Sequence, residues 1–209
     1  MLLLLLFFIF VFVPILHREE GGAIIIKIIY SLMLFTGILS VSREKKILIG
    51  ISIFAAISFF VNWLSQIEPT TPVLIAHNLC AIFFNLFFAI AILVKTFAKG
   101  EITYHRIIGS IVVYLLVGLI FTYVFNAIYI TQGPSSFNNI KGTELKEFVY
   151  FSFTSLSTMG YGDITPVHPL ARSLANFEAL IGQLYPAILI ARLVSMEFES
   201  STKKKEKNL

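Results

Sequence analysis

The stretch Phe151-Ser152-Phe153-Thr154-Ser155-Leu156-Ser157-Thr158-Met159-Gly160-Tyr161-Gly162-Asp163-Ile164-Thr165-Pro166 decides how the chain is read. Its first part, extended back to Glu147, is half apolar and holds four hydroxyl residues, Ser152, Thr154, Ser155 and Ser157. About eleven residues from Glu147 to Ser157 make roughly 16 Å of helix at 1.5 Å per residue. A bilayer core of about 30 Å needs about 20 residues. The stretch therefore suggests a re-entrant segment and not a crossing. The helix leads into two glycines flanking one tyrosine, and glycine reaches positive φ without a Cβ penalty. Non-helical backbone at membrane depth persists only where protein or an aqueous path surrounds it.

The rest of the chain makes membrane depth the right frame. Of 209 residues, 57% are hydrophobic and 13% charged, against roughly 25% charged in an ordinary soluble domain. Six apolar segments are predicted as helices: Met1 to Leu16, Gly21 to Val41, Ile47 to Leu64, Val73 to Ala98, Ile107 to Ile130 and Leu170 to Phe198. The first is short, and two readings of it are weighed. It has no Lys or Arg before its apolar run and no small-residue cleavage site after it, which favours a retained helix over a secretory signal. Thr131 to Lys146 reads as a loop, with a turn at Gln132-Gly133-Pro134-Ser135-Ser136. Cys80 lies in an apolar stretch, forms no intrachain disulfide and is read as a small packing residue.

The net charge of +4 reflects topology and not nucleic-acid binding. Arg43, Lys45 and Lys46 share one connection, Lys95, Lys99 and Arg106 another, and Lys203, Lys204, Lys205 and Lys207 the tail. The alternate connections are poor in cations, although the Thr131 to Pro169 region carries Lys141 and Lys146. The positive-inside rule places the basic set, and with six crossings both termini, in the cytoplasm. The expected location is the plasma (inner) membrane, with multiple passes.

Thr158-Met159-Gly160-Tyr161-Gly162-Asp163, placed after a short helix and between two apolar spans, resembles the selectivity filter of potassium channels. The resemblance implies that backbone carbonyls of Thr158, Met159, Gly160 and Tyr161, from four chains, replace the hydration shell of K+. It implies that Tyr161 braces the filter with its hydroxyl tied to a neighbour, and that Asp163 hydrogen-bonds at the outer mouth and attracts cations. Thr154, Ser155 and Ser157 belong to the pore helix, whose carbonyl end faces the cavity and favours a cation. Met159 stands where the commonest pattern has Val or Ile, and is longer and softer than either. Because the motif occurs once, the resemblance implies a homotetramer.

The last span resembles the pore-lining helix of bacterial members. Gly182 admits two readings, a gating hinge or close helix packing, and Pro186 removes a backbone donor four residues on. Gln183 is a candidate cavity residue. Glu178, an acid in an apolar helix, is a functional candidate by default. It is expected either to pair with Thr154 or Ser155 or to act as a protonated structural donor. The first four helices resemble the peripheral bundle of six-helix channels, yet Val73 to Ala98 has no Arg and only Lys95 at its end. A conventional voltage sensor is therefore not expected. His77, Asn78 and Asn85 are expected to make interhelical hydrogen bonds, with proton sensing by His77 as a second reading; Lys27 has no obvious partner in sequence. The tail lysines either touch lipid headgroups or are simply solvated.

The expected fold is all-α and membrane-embedded: six transmembrane helices with a re-entrant pore helix and filter loop between the fifth and sixth. Residues 1–100 form a four-helix peripheral bundle, 101–198 the pore domain, and 199–209 a short basic cytoplasmic tail. The expected function is passive K+ conduction, with membrane lipids and other copies of the chain as partners, no cofactor and no soluble ligand-binding domain. A non-selective cation channel and a non-conducting modulatory subunit are the alternatives. A polytopic enzyme using His77, Cys80, His105 and His168 is disfavoured, since none of these shows a paired ligand spacing.

Overall fold

A computed structural model describes residues 22–41, 45–98, 103–140, 142 and 145–207. The expected first helix, Met1 to Leu16, lies outside the described residues, as do Arg43, Lys99 and Lys141. The described elements are α1 (Gly22–Val41), α2 (Lys45–Ile67), α3 (Thr71–Thr96), α4 (Tyr104–Gln132), a 3-10 turn (Pro134–Ser136), β1 (Phe137–Asn138), α5 (Leu145–Leu156), β2 (Thr165–Pro166) and α6 (Pro169–Lys207). The expected boundaries differ from these by a few residues, except that α6 continues helically through most of the predicted tail.

Three described helices are long and apolar enough to cross a membrane: Thr71–Thr96, Tyr104–Gln132 and Pro169–Met196. The apolar stretches of α1 and α2 among described residues, Lys27–Thr36 and Ser52–Ile67, are shorter. Lys27 donates through Nζ to the Asn62 carbonyl at 2.6 Å and to Ser65 Oγ at 2.8 Å, so this lysine does have a partner set, supplied by the next helix. Asn78 of α3 donates to Asn126 Oδ1 of α4 at 2.7 Å, an interhelical bond as expected. Asn85 instead donates within its own helix to Ala81. His77 lies edge-on between the rings of Tyr30 and Tyr123, each centroid 5.8 Å away.

Pro72 opens α3, where its missing N–H is not needed. Gly133 ends α4 with φ 84°, its amide donating to the Tyr129 carbonyl at 3.0 Å. Leaving the helix at a positive-φ residue ends it and redirects the chain. The turn then feeds β1, which pairs antiparallel with β2, Phe137 opposite Pro166 and Asn138 opposite Thr165. The Ser136 carbonyl accepts from the amides of Val167 at 2.8 Å and His168 at 3.1 Å. The segment before α5 and the segment after residues 158–163 are thereby clamped together.

An aromatic cluster lies beneath the clamp. Phe125 of α4 meets Phe151 of α5 at 4.9 Å between centroids and Phe137 of β1 at 6.0 Å. Phe137 also meets Phe148 at 5.8 Å and Phe151 at 5.4 Å. Most of these pairs are edge-to-face, the arrangement that the ring quadrupole favours. Phe125 and Phe148 are wholly buried. Phe125→Ala is expected to destabilise the fold by about 3–5 kcal/mol, read as a lowered unfolding midpoint in detergent.

Candidate ion-conduction site

The site begins at the C-terminus of α5, where a helix leaves four carbonyls without intrahelical partners. Each of them is satisfied. Phe153 O accepts the Ser157 amide at 3.0 Å and its hydroxyl at 2.6 Å. Thr154 O accepts the amides of Met159 at 2.9 Å and Gly160 at 3.2 Å, and Ser155 O accepts that of Thr158 at 2.9 Å. Leu156 O accepts the hydroxyl of Tyr114 from α4 at 3.3 Å. The two bonds from Thr158 and Met159 form a Schellman-type cap, which requires a left-handed residue. That residue is Thr158, at φ 57°. A β-branched residue there is strained, and composition gave no sign of it.

Beyond the cap, Gly160 has φ 51° and Gly162 φ 79°, the conformations expected of these glycines. A Cβ added at either would meet nothing within 4 Å in one chain. Conformation and not space therefore demands glycine here. Asp163 is held from two sides: Tyr150 donates to its Oδ2 at 2.7 Å, and Asn139 donates to its carbonyl at 2.7 Å. Asn139 is itself left-handed, at φ 63°, which asparagine tolerates. The ring of Tyr161 stacks on that of Tyr150, 6.4 Å apart and nearly parallel at 4°.

A cleft of about 700 Å³ opens beside this segment, lined among others by Thr154, Ser155, Thr158, Tyr161, Arg172 and Asn176. Thr154 Oγ1 bonds within α5, to the Phe151 carbonyl at 2.9 Å. Met159 and Tyr161 are 58% and 66% exposed in a single chain, so both offer surface to something outside it.

Glu178 of α6 is fully buried. Its partner is Ser152, whose Oγ lies 2.5 Å from Oε1, and not Thr154 or Ser155. Ser152 faces inward toward α4 and α6, whereas Thr154 and Ser155 face the cleft. Gly182 packs directly on the end of α5: a Cβ there would overlap the Leu156 carbonyl oxygen and lie 2.7 Å from its carbon. Close helix contact thus accounts for this glycine. Pro186 lies inside the helix and leaves the Gly182 carbonyl without its usual amide donor. Gln183 is exposed on α6. Sequence reading missed Tyr150, Asn139, Tyr114 and Gly118, because their partners lie far away along the chain.

Residues 109–199 match the family described as Ion channel. The fold and this match together point to a membrane protein with an ion-channel domain. The chain is 39% identical over 64 residues to Protein LctB of Geobacillus stearothermophilus and 36% identical over 64 residues to Protein LctB of Bacillus caldotenax. Each alignment covers 31% of this chain and 47% of the relative. No solved structure matches.

The bond from Tyr150 holds the Asp163 carboxyl below its ordinary 3.8, while the same bond pushes the Tyr150 hydroxyl up to about 12. Asp163 is lowered, so its contribution is present above 3.8 and is lost as pH falls through the lowered value. Tyr150 is raised, so its contribution is present below 10.0 and is lost as pH rises through about 12. Tyr150→Phe is expected to return the Asp163 titration upward toward 3.8, measured by carboxyl NMR. Gly182→Ala is expected to push α6 away from α5 and lower the unfolding midpoint, a loss on the order of 1–3 kcal/mol.

Proposed function

We propose that this chain is one subunit of a tetrameric potassium-selective channel, with residues Thr158 to Asp163 as its filter. The observation that carries the reading is the conjunction of the sequence Thr158-Met159-Gly160-Tyr161-Gly162-Asp163 with left-handed backbone at Gly160 and Gly162, following a 12-residue helix. Two membrane-capable helices flank it. In this reading, carbonyls of Thr158, Met159, Gly160 and Tyr161 from four chains coordinate dehydrated K+ along one axis. Asp163 adds negative charge at the outer mouth. The C-terminal end of α5 directs its partial negative charge at the cavity, although its last carbonyls are capped.

Assembly is supported by what one chain leaves uncovered. On α6, Phe177, Leu180, Leu184 and Ile188 are each more than half exposed. The motif, for its part, cannot close a ring alone. A homotetramer would cover such a surface and close that ring. The six-crossing topology with cytoplasmic termini in the plasma membrane completes the proposal; α1 has 20 residues and α2 has 23, or about 30 Å and more of helix. Pro186, one turn beyond the Gly182 contact, is the proposed flexing point of α6, and Gln183 a cavity residue. The lack of any Arg in α3 supports gating by something other than a charged voltage-sensor helix.

The test is a reversal potential in liposomes holding the purified chain, with K+ on one side and Na+ on the other. A value near that of K+ supports the proposal, and equal permeability overturns K+ selectivity. Gly160→Ala forces a Cβ into left-handed backbone at about 1–2 kcal/mol per subunit. It is expected to reduce K+ flux roughly tenfold or more while the assembly survives.

A further inference from the structure

Three helices behind the filter segment meet at one hydroxyl. Ser152 Oγ of α5 lies 2.7 Å from the Gly118 carbonyl oxygen of α4 and 2.5 Å from Glu178 Oε1 of α6. Ser152 and Glu178 are both fully buried. Each oxygen–oxygen separation is a hydrogen-bond distance, and each needs one proton between its oxygens. The serine hydroxyl has one proton to give. The Gly118 carbonyl has none, and it already accepts the Thr122 hydroxyl at 2.9 Å. The second proton has a single source left, the carboxyl of Glu178.

The other carboxyl oxygen points the same way. Glu178 Oε2 is buried and has no hydrogen-bond partner. An ionised carboxylate would leave half its charge on a bare oxygen in apolar surroundings, at a large desolvation cost. A neutral acid leaves only an unpaired carbonyl there, which is far less costly. Glu178 is wholly covered within one chain, so a neighbouring copy has no access to supply a donor.

We infer that Glu178 is a neutral carboxylic acid and the first donor of a proton chain, Glu178 to Ser152 to the Gly118 carbonyl, that positions α5 between α4 and α6. Sequence allowed a protonated donor at this position without naming its acceptor. The geometry supplies the acceptor, the direction of both bonds and the three helices that they join. Glu178 is a positioning residue: the segment Thr158 to Asp163 hangs from the end of α5, and the chain fixes that helix six residues earlier. The contact between Gly182 and Leu156 lies about one turn further along α6, so the two features brace α5 from the same side. The inference holds whichever ion passes the filter.

The test uses the full chain in vesicles and infrared spectroscopy at neutral pH. The wild type is expected to show a protonated-carboxyl C=O band that Glu178→Gln abolishes and Ser152→Ala shifts. Glu178→Gln keeps a donor and is expected to hold the wild-type unfolding midpoint, while Glu178→Met, similar in size but without a donor, lowers it. Absence of a band that Glu178→Gln removes would overturn the inference. So would equal midpoints for the Gln and Met variants, because volume alone would then explain the residue. If Glu178→Gln does not assemble, a band left unshifted by Ser152→Ala overturns it.

Discussion

The end of a helix leaves backbone carbonyls that need hydrogen-bond partners, and meeting that need organises the second half of the molecule. The chain answers by turning its own amides back onto the helix, so that Ser157, Thr158, Met159 and Gly160 cap the last carbonyls with help from Tyr114. The cap forces Thr158 into left-handed space, and the glycines that follow continue the same irregular path. Strain of this kind persists only where the surroundings over-determine it. Here they include the aromatic cluster, the β1–β2 pair and the Tyr150–Asp163 bond.

These supports approach from different directions. The aromatic cluster packs α5 against α4 and β1. The two-stranded pair ties the approach to α5 to the exit from residues 158–163. Gly182 brings α6 into backbone contact with the end of α5, and the Glu178–Ser152–Gly118 chain joins the same helices deeper in. With this redundancy, a shift of any one helix does not pass directly to the backbone of residues 158–163. The exposed side chains of Met159 and Tyr161 and the uncovered apolar face of α6 show that one chain leaves the outer side of this segment open.

The peripheral helices follow a different logic. Some of their polar residues pair across helices, as Lys27 does with Asn62 and Ser65 and Asn78 with Asn126. These pairs bind α1 to α2 and α3 to α4 without a charged ladder. The apolar side chains of the same helices, among them Phe35, Phe60 and Phe83, face outward. This inside-out arrangement suits a helix bundle surrounded by lipid, where association relies on packing and interhelical hydrogen bonds.

Sequence by itself determined the long apolar helices, the short helix before residues 158–163 and the need for glycine at 160 and 162. These depend on local composition, length and backbone conformation, all of which are written in consecutive residues. It also marked Glu178 and Lys27 as anomalies, because a charge in an apolar run is visible without any fold. Only the tertiary structure decided what they touch: Ser152 and not Thr154 or Ser155 for Glu178, and Asn62 and Ser65 for Lys27. It alone revealed the left-handed Thr158 and set Gly182 against Leu156. A hydrogen bond depends on which faces of two helices meet, and the rotation of one helix about another is set by the packing of all their side chains together.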